Sequence, residues 1–230
     1  MGIYTKAGDG GETSLYSNRE TKKIRVSKSS QIIKTIGAID EANSYLGIIS
    51  SIVKDKRFKM KGVYGLPSFA KSYGRARQST DVGFRMSDFG CCTKEYSKSR
   101  KGKEQDLLEI IEEVQGDLFT IGGIIAGAKL ELQSYKVTKL EKEIDRLEKM
   151  LPKQTNFILP GGTIIAAHLM YARALVRKAE RELAELFGHR TSDVGSRILK
   201  YTNRLSDYLF ILARWENYCL GYKDKVWKVR

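Results

Sequence analysis

Apolar residues recur at three- and four-residue steps through most of this chain, and that spacing predicts α-helices. In the first such segment, residues 32–54, the pattern includes Ile39, Leu46 and Val53. Four later segments share it, at about 104–127, 138–151, 163–187 and 192–220. No segment alternates strongly enough between apolar and polar residues to predict a strand. We therefore predict an all-α fold, an antiparallel five-helix bundle.

The third of these segments carries its own start and stop signals. Thr138 followed by Glu141 is a capping box, a pattern typical of the first residues of a helix. Pro152 ends the segment, because proline removes a backbone donor and clashes with the preceding turn. A loop containing Pro160-Gly161-Gly162 then leads into the fourth helix.

Residues 55–103 lack helical periodicity and are markedly basic. The chain has a net charge of +14, and residues 54–103 alone hold 14 Lys or Arg against 4 Asp or Glu. A structureless stretch of this length is uncommon inside a compact domain, which indicates an insertion between the first two helices. We therefore predict one domain over residues 1–230, interrupted at 55–103 by a basic loop or small subdomain.

This insertion keeps one alternative function open. Its arginines are interleaved with aromatic residues, a mixture typical of proteins that bind single-stranded nucleic acid. A solvated basic loop has the same composition and is the more ordinary interpretation. A helical protein that binds nucleic acid or another polyanion is thus the alternative, but we expect no nucleic-acid partner.

Several other classes of protein are excluded by composition. No stretch approaches the ~20 apolar residues that span a bilayer, so no membrane association is expected. The N-terminus lacks the basic and then apolar character of a secretory signal. The three cysteines form no C-x-x-C pair, which is typical of a reducing compartment, and two histidines are too few for a His-rich metal site. We predict a cytoplasmic protein with no metal held by its own side chains.

The N-terminal segment Thr5–Ser14 has the ingredients of a phosphate-binding loop. Its glycines let backbone N–H groups approach an anion, while lysine and hydroxyl side chains add charge and donors. It is not a Walker A loop, and a flexible terminus would have the same composition. The candidate residues are Thr5, Lys6, Gly8, Asp9, Gly11, Thr13 and Ser14.

The fourth predicted helix carries a stripe of arginines. Arg173, Arg177 and Arg181 are spaced four residues apart, so their guanidinium groups share one face. Like charges on one stripe destabilise a helix unless carboxylates or a polyanion neutralise them. Glu180 and Glu182 would make this a salt-bridged surface, whereas a phosphate ligand would suit the guanidinium fork.

Three further motifs are each ambiguous when taken alone. Asp40 lies beside the apolar face of the first helix and needs a cationic partner, for which Arg177 is a candidate, or else it is an exposed acid. Phe157 begins an apolar loop that opens the arginine helix, or a plain interhelical turn. Asn203 belongs to a polar group in the middle of the last helix, with either a surface role or a ligand role.

Taken together and in this order, the motifs resemble the PduO-type ATP:cob(I)alamin adenosyltransferases. The resemblance covers residues 3–54 and 104–230, and its specificity comes from seven ordered blocks. The blocks are Ile3-Tyr4-Thr5-Lys6-x-Gly8-Asp9-x-Gly11, Arg25-Val26-x-Lys28, Gly37-x-x-Asp40-Glu41-x-Asn43-Ser44-x-x-Gly47, Gln115-x-Asp117-Leu118-Phe119, Phe157-Ile158-Leu159-Pro160-Gly161-Gly162, Arg177-x-Ala179-Glu180-Arg181 and Asn203-Arg204-Leu205-Ser206-Asp207.

The resemblance implies an enzyme that transfers the 5′-deoxyadenosyl group of ATP to cob(I)alamin and releases triphosphate. It implies a homotrimer with active sites between subunits, Mg²⁺ accompanying ATP, and a corrinoid reductase as a partner. By the same resemblance, Asp40 pairs with Arg177 across the subunit interface and Phe157 packs at the lower face of the corrin. The residues expected to bind ATP are Thr5, Lys6, Gly8, Asp9, Gly11, Thr13, Ser14, Lys28, Arg177, Glu180, Arg181 and Asn203.

Two features depart from the family pattern or leave it open. Residue 7 is Ala7, where the family commonly has threonine, and the insertion at 55–103 has no family counterpart that we know. A relative that only carries adenosylcobalamin without forming it is a further alternative. The intact Arg177, Glu180, Arg181 and Asp40 argue against such a loss of catalysis.

Overall fold

The computed structural model describes residues 4, 6–15, 24–55, 100–188 and 192–228, with side chains described from residue 107 onward in the second helix. Within these residues the chain forms two short strands followed by five helices. The elements in chain order are β1 (Glu12–Leu15), β2 (Ile24–Ser27), α1 (Gln31–Lys54), α2 (Arg100–Ile125), α3 (Tyr135–Glu148), α4 (Ile164–Phe187) and α5 (Asp193–Cys219).

The helices form the predicted bundle, with each one antiparallel to the next along the chain. Helix α4 occupies a central position, since it packs closely against both α1 and α5, while α2 lies on α1 and α3 lies on α5. The cross-helix side-chain pairs that accompany this order are Lys178–Glu41, Asn203–Glu180, Lys54–Glu112 and Arg204–Glu141. The all-α five-helix prediction is confirmed.

A single apolar core runs through the bundle and takes residues from all five helices. Leu46, Leu118, Leu147, Ile165 and Tyr201 are among its largest fully buried side chains. Burying each such leucine or isoleucine contributes about 1.5–3 kcal/mol. The three- and four-residue spacing seen in the sequence is therefore the spacing of the buried face.

The starts of α4 and α5 agree with the sequence signals, whereas the start of α3 does not. Thr163 and Ser192 cap α4 and α5, since their side chains accept hydrogen bonds from the N–H groups of Ala166 and Gly195 at 3.1 Å. The predicted capping box at Thr138 is wrong. Helix α3 begins a turn earlier, at Tyr135, because Lys136 is anchored in a polar cluster on α2.

That polar cluster joins α2, α3 and α5. The Lys136 ammonium lies 2.9 Å from a Glu113 carboxylate oxygen and 3.0 Å from an Asp117 carboxylate oxygen. Burial raises the pKa of the Tyr201 phenol well above its usual value, so the phenol stays protonated and donates to Asp117 Oδ2 at 2.8 Å. Every buried charge in the cluster therefore has a partner of the opposite sign or a hydrogen-bond donor.

The two strands were not predicted from the sequence, and the expectation of no strand is corrected here. Strand β1 pairs antiparallel with β2, with Glu12 opposite Ser27 and Thr13 opposite Val26. Most of the strand residues are exposed, so the hairpin lacks the buried alternating face that makes a strand visible in a sequence.

Candidate functional site

The predicted phosphate loop is the turn that leads into β1. The N–H of Asp9 donates to the carbonyl of Lys6 at 3.3 Å, and the N–H of Gly11 donates to the carbonyl of Gly8 at 3.2 Å. Gly11 has φ of +80°, which suits glycine, whereas Lys6 adopts φ of +56°, which few non-glycine residues do. Residues 6–11 thus form a defined turn rather than an irregular tail.

Two cations from β2 and its end hold this turn in place. The Arg25 guanidinium donates to the carbonyl of Ala7 at 2.6 Å, and the Lys28 ammonium donates to the carbonyl of Gly8 at 2.8 Å. Arg25 was matched in the sequence but was not predicted as a site residue. Its place beside Lys28 in one motif block was the available signal. Lys28, predicted to bind ATP, has three donors and uses one of them on the loop.

The remaining predicted residues of the hairpin differ in exposure. Asp9 and Ser14 are exposed, and Thr13 is half-buried in the pairing with β2. Ser14 Oγ accepts a hydrogen bond from Arg25 at 3.3 Å. Thr5 lies outside the described residues. The structure therefore brings most of the predicted loop together but leaves its role with ATP as a prediction.

The arginine stripe of α4 is present in the structure. Arg177 and Arg181 are exposed, and Arg181 donates to the backbone carbonyl of Arg177 at 3.0 Å. Arg173 is half-buried and its guanidinium lies 5.4 Å from the centre of the Phe210 ring. Among the described residues, none of the three arginines forms an ion pair with a carboxylate. The salt-bridged surface considered for this stripe is therefore absent from the described part of the chain.

Glu180 and Glu182, the acids considered as partners of the stripe, are engaged elsewhere. Glu180 accepts a hydrogen bond from the Asn203 amide at 2.9 Å, which joins α4 to α5. Glu182 accepts from the Gln31 amide at 2.8 Å. Glu180 and Asn203, predicted together from separate motifs, are thus direct partners beside the two exposed arginines.

Asp40 is exposed on α1, the helix next to the arginine stripe. Its neighbour Glu41 binds Lys178 at 2.6 Å, and this carboxylate raises the pKa of the Lys178 ammonium. Within one chain the described residues include no ion pair between Asp40 and Arg177. Because the predicted pairing joins two subunits, it stays a prediction.

Phe157 lies at the other end of α4, in the loop before its first turn. Its side chain is 78% exposed, an unusual position for a phenylalanine. Arg177 lies thirteen residues after the start of α4 at Ile164, about 20 Å along the helix axis. A single site that reached from Phe157 to Arg177 within one chain would extend along most of α4, which is long enough for two large substrates.

A cavity of about 470 Å³ lies behind the Phe157 loop, between residues 151–158 and the C-terminal segment, residues 222–228. The buried Arg214 lines it and is paired with Asp224 at 2.8 Å. Ile158 and Val226 form part of its wall. Sequence reasoning missed this cavity, because it arises where two irregular segments meet.

One matched block has a structural explanation. In Gln115-x-Asp117-Leu118-Phe119, the Gln115 amide donates to the carbonyl of Asn43 at 3.1 Å and ties α2 to α1. Asp117 belongs to the buried cluster with Lys136 and Tyr201. Both residues therefore connect helices: Gln115 joins α2 to α1, and Asp117 joins α2 to α3 and α5.

The described part of the chain lacks two features. No group of three or more His, Cys, Asp or Glu side chains is arranged there to hold a metal ion. No helix in the same residues is both long and apolar enough to cross a membrane.

The chain has relatives among known proteins. The sequence model of the family described as cobalamin adenosyltransferase matches residues 3–64 and 85–216. The corrinoid adenosyltransferase of Bacillus subtilis (strain 168) is 30% identical over 229 residues, which cover 97% of this chain and 91% of that protein. The corrinoid adenosyltransferase of Bos taurus is 30% identical over 227 residues, covering 98% of this chain and 76% of that protein.

The fold is shared with solved structures of the same kind. A variant of the PduO-type ATP:corrinoid adenosyltransferase from Lactobacillus reuteri, complexed with cobalamin and ATP, aligns with a TM-score of 0.68. It is 25% identical, and the alignment covers 99% of this chain and all of that chain. A chain with this fold and these relatives is a transferase. The chain belongs to the cobalamin adenosyltransferase family.

The family match also covers parts of the segment that was predicted as an insertion. It leaves out residues 65–84 but includes 55–64 and 85–103, and α2 begins at Arg100, before the predicted end of the insertion. Residues 56–99 lie outside the described residues. The basic loop or small subdomain therefore stays a prediction, and nucleic-acid binding through it stays an untested alternative.

Proposed function

We propose that this protein transfers the 5′-deoxyadenosyl group of ATP to cob(I)alamin, forming adenosylcobalamin and releasing triphosphate. The observation that carries the proposal is the pair Arg177 and Arg181, which have no carboxylate partner among the described residues and lie beside the Glu180–Asn203 hydrogen bond. This arrangement lies on a fold shared over nearly the whole chain with an enzyme complexed with cobalamin and ATP. A surface that keeps two guanidinium groups without carboxylate partners suits a polyanionic substrate.

The reaction requires little chemistry from the side chains. The cobalt of cob(I)alamin is itself the nucleophile: it bonds to C5′ of ATP, while the C5′–O bond breaks and its electron pair leaves with triphosphate. The protein must orient both substrates and stabilise the charge on the leaving group. We assign that charge stabilisation to Arg177 and Arg181, with Lys6 and Lys28 approaching from the loop.

The two ends of the site have separate roles in this proposal. The loop at Lys6–Ser14, with Thr5 before it, surrounds the triphosphate, and Asn203, oriented by Glu180, hydrogen-bonds to ATP. Phe157 packs at the lower face of the corrin, where an aromatic ring excludes the lower ligand of cobalt and so favours the form that is easier to reduce. The 78% exposure of Phe157 in the single chain supports a role against a ligand or a neighbouring subunit.

The assembly we propose is a homotrimer with active sites between subunits, in which Asp40 pairs with Arg177 of the neighbouring subunit. Support comes from apolar side chains that one chain leaves uncovered on the adjacent helices α1 and α4. Ile48, Ile164 and Tyr171 are between 41% and 53% exposed there. Light scattering should therefore give three times the chain mass of 26.0 kDa.

Three further assignments belong to the proposal. Mg²⁺ enters with ATP, because this ion is usually bound by substrate phosphates and few protein ligands. The protein works in the cytoplasm, in agreement with its cysteine usage. A corrinoid reductase supplies the cob(I) state, since reduction requires an electron donor that the proposed reaction does not provide.

The test is spectroscopic measurement of cob(I)alamin conversion with ATP, in the unaltered protein and in Arg177→Ala. Loss of a preorganised charge stabiliser should lower kcat by about 10²–10³. Arg146→Ala is the matched control, since Arg146 is an exposed arginine on α3 paired with Glu143 of its own helix. Near-normal turnover in purified Arg177→Ala would refute its assigned role. A protein that binds adenosylcobalamin without forming it would instead be a carrier.

A further inference from the structure

The loop of Phe157 is paired along its backbone with the C-terminal segment, residues 222–228. The N–H of Trp227 donates to the carbonyl of Phe157 at 2.8 Å, and the N–H of Leu159 donates to the carbonyl of Lys225 at 2.8 Å. Ile158 and Val226 face each other between these bonds as an antiparallel bridge. Phe157 thus lies on a short two-stranded ribbon of which the C-terminal segment is one strand.

The two faces of this ribbon differ. Phe157 and Leu159 are 78% and 41% exposed, whereas Ile158 between them is half-buried and lines the cavity of about 470 Å³. This alternation places Phe157 on the face opposite the cavity. Behind the ribbon, Ile158 packs only partly against the core and borders the cavity, so packing alone holds the ribbon weakly.

A buried ion pair ties the C-terminal segment to the bundle. Arg214 of α5 binds Asp224 at 2.8 Å, and its guanidinium also donates to the carbonyl of Pro152 at 2.9 Å. The Arg214 side chain is 6% exposed, so this link is shielded from solvent. One arginine thereby fastens the start of the Phe157 loop and the C-terminal segment to the same helix.

We propose that the C-terminal segment positions Phe157 against the corrin, with Asp224 and the backbone of Trp227 as its positioning groups. The inference rests on the proposed function, because it takes Phe157 as the residue beneath the corrin. It goes beyond the family match, which ends at residue 216 and leaves the whole segment out. Displacing the segment changes how the corrin is held while leaving ATP binding intact.

The test compares Trp227→Pro with Trp227→Ala. Proline removes the N–H that donates to Phe157, whereas alanine keeps it and removes only the indole. Losing this hydrogen bond should raise the KM for cob(I)alamin about fivefold relative to Trp227→Ala and leave the KM for ATP unchanged. The absorption spectrum of bound cob(II)alamin with ATP should also show a smaller fraction without the lower ligand. An equal change in Trp227→Ala would overturn the inference, because the indole would then be responsible.

A double-mutant cycle tests whether the segment acts through Phe157. In a Phe157→Ala background, Trp227→Pro should add almost nothing to the loss, because the residue to be positioned is already gone. Additive losses would refute the inference. If Trp227→Pro fails to fold, a chain ending at Asp224 keeps the pair with Arg214 and removes the ribbon strand, and it should show the same pattern in both backgrounds.

These outcomes separate the two proposals. Turnover in the unaltered protein with additive losses in the cycle would refute the positioning role alone. No turnover in the unaltered protein, with any corrinoid and with ATP, would refute the proposed function and this inference with it.

Discussion

Removing the buried cation of the α2–α3–α5 cluster should destabilise the bundle far more than removing its exposed neighbour. Lys136→Met keeps the length of the side chain but leaves Glu113 and Asp117 without their shared ammonium. The Lys136 side chain is 16% exposed and that of Asp117 is 12% exposed, so solvent can compensate only in part. Lys139 binds the same Glu113 carboxylate but is 52% exposed, which makes Lys139→Met the matched control.

The magnitude follows from the number and exposure of the hydrogen bonds. A hydrogen bond to a charged group contributes ~1.5–3 kcal/mol, and Lys136 makes two. Because Glu113 is a third exposed, its share is reduced by screening, and the expected cost of Lys136→Met is about 2–4 kcal/mol. An exposed pair contributes about 0.2–1 kcal/mol, so Lys139→Met should cost no more than that.

Thermal unfolding monitored by circular dichroism checks this expectation at matched protein concentration. For a chain of this size each 1 kcal/mol lowers Tm by about 2–4 °C, so Lys136→Met should unfold about 4–16 °C below the unaltered protein. The control should lie within about 4 °C of it. Equal shifts for the two variants would refute the view that burial gives the Lys136 contacts their strength.

Two further predictions concern stability. Partial burial alone would raise the pKa of Glu113, but hydrogen bonds from its two lysine partners hold it below the usual value, so its contribution is present above pH ~4.5 and lost as pH falls further. The stability difference between the unaltered protein and Glu113→Gln, from denaturant titrations at a series of pH values, should therefore shrink in acid; a constant difference would contradict it. Gly162→Ala should cost ~2 kcal/mol or more, because Gly162 has φ of +106° and an added Cβ would clash with the Asn217 side chain. Gly116→Ala, which meets no atom within 4 Å, is the control and should be neutral or stabilising in the same denaturant assay; equal losses would contradict the steric argument.

The bundle could be predicted from the sequence because its helices bury one face each. Leu46 of α1, Ile165 of α4 and Leu205 of α5 are at most 1% exposed. Each belongs to the buried face of its helix, and the apolar residues of such a face recur at helical spacing. The α4 and α5 starts were also predictable, since Thr163 and Ser192 act through neighbouring residues along the chain. Caps of this kind depend on residues that are neighbours in the sequence, so they can be recognised from it.

What escaped prediction depends on contacts between distant segments. The first turn of α3 is helical although the capping signal lies at Thr138, because Lys136 finds its carboxylates on another helix. The pairing of Glu180 with Asn203 depends on how α4 and α5 are aligned. The ribbon that carries Phe157 forms only because residues 225–227 pair with the loop at residues 157–159. The roles of these residues toward ATP and the corrin depend on molecules that the sequence does not contain.

The capped carbonyls of the N-terminal turn have an electrostatic consequence. A bare glycine-rich turn offers carbonyl oxygens as well as N–H groups, so it repels an anion from some directions as much as it attracts it from others. Here Arg25 and Lys28 donate to the carbonyls of Ala7 and Gly8, and Arg25 also pairs with the Glu12 carboxylate at 3.3 Å. These two carbonyl oxygens are therefore neutralised by the scaffold before any anion arrives, so the turn has no need to reorient them to receive one.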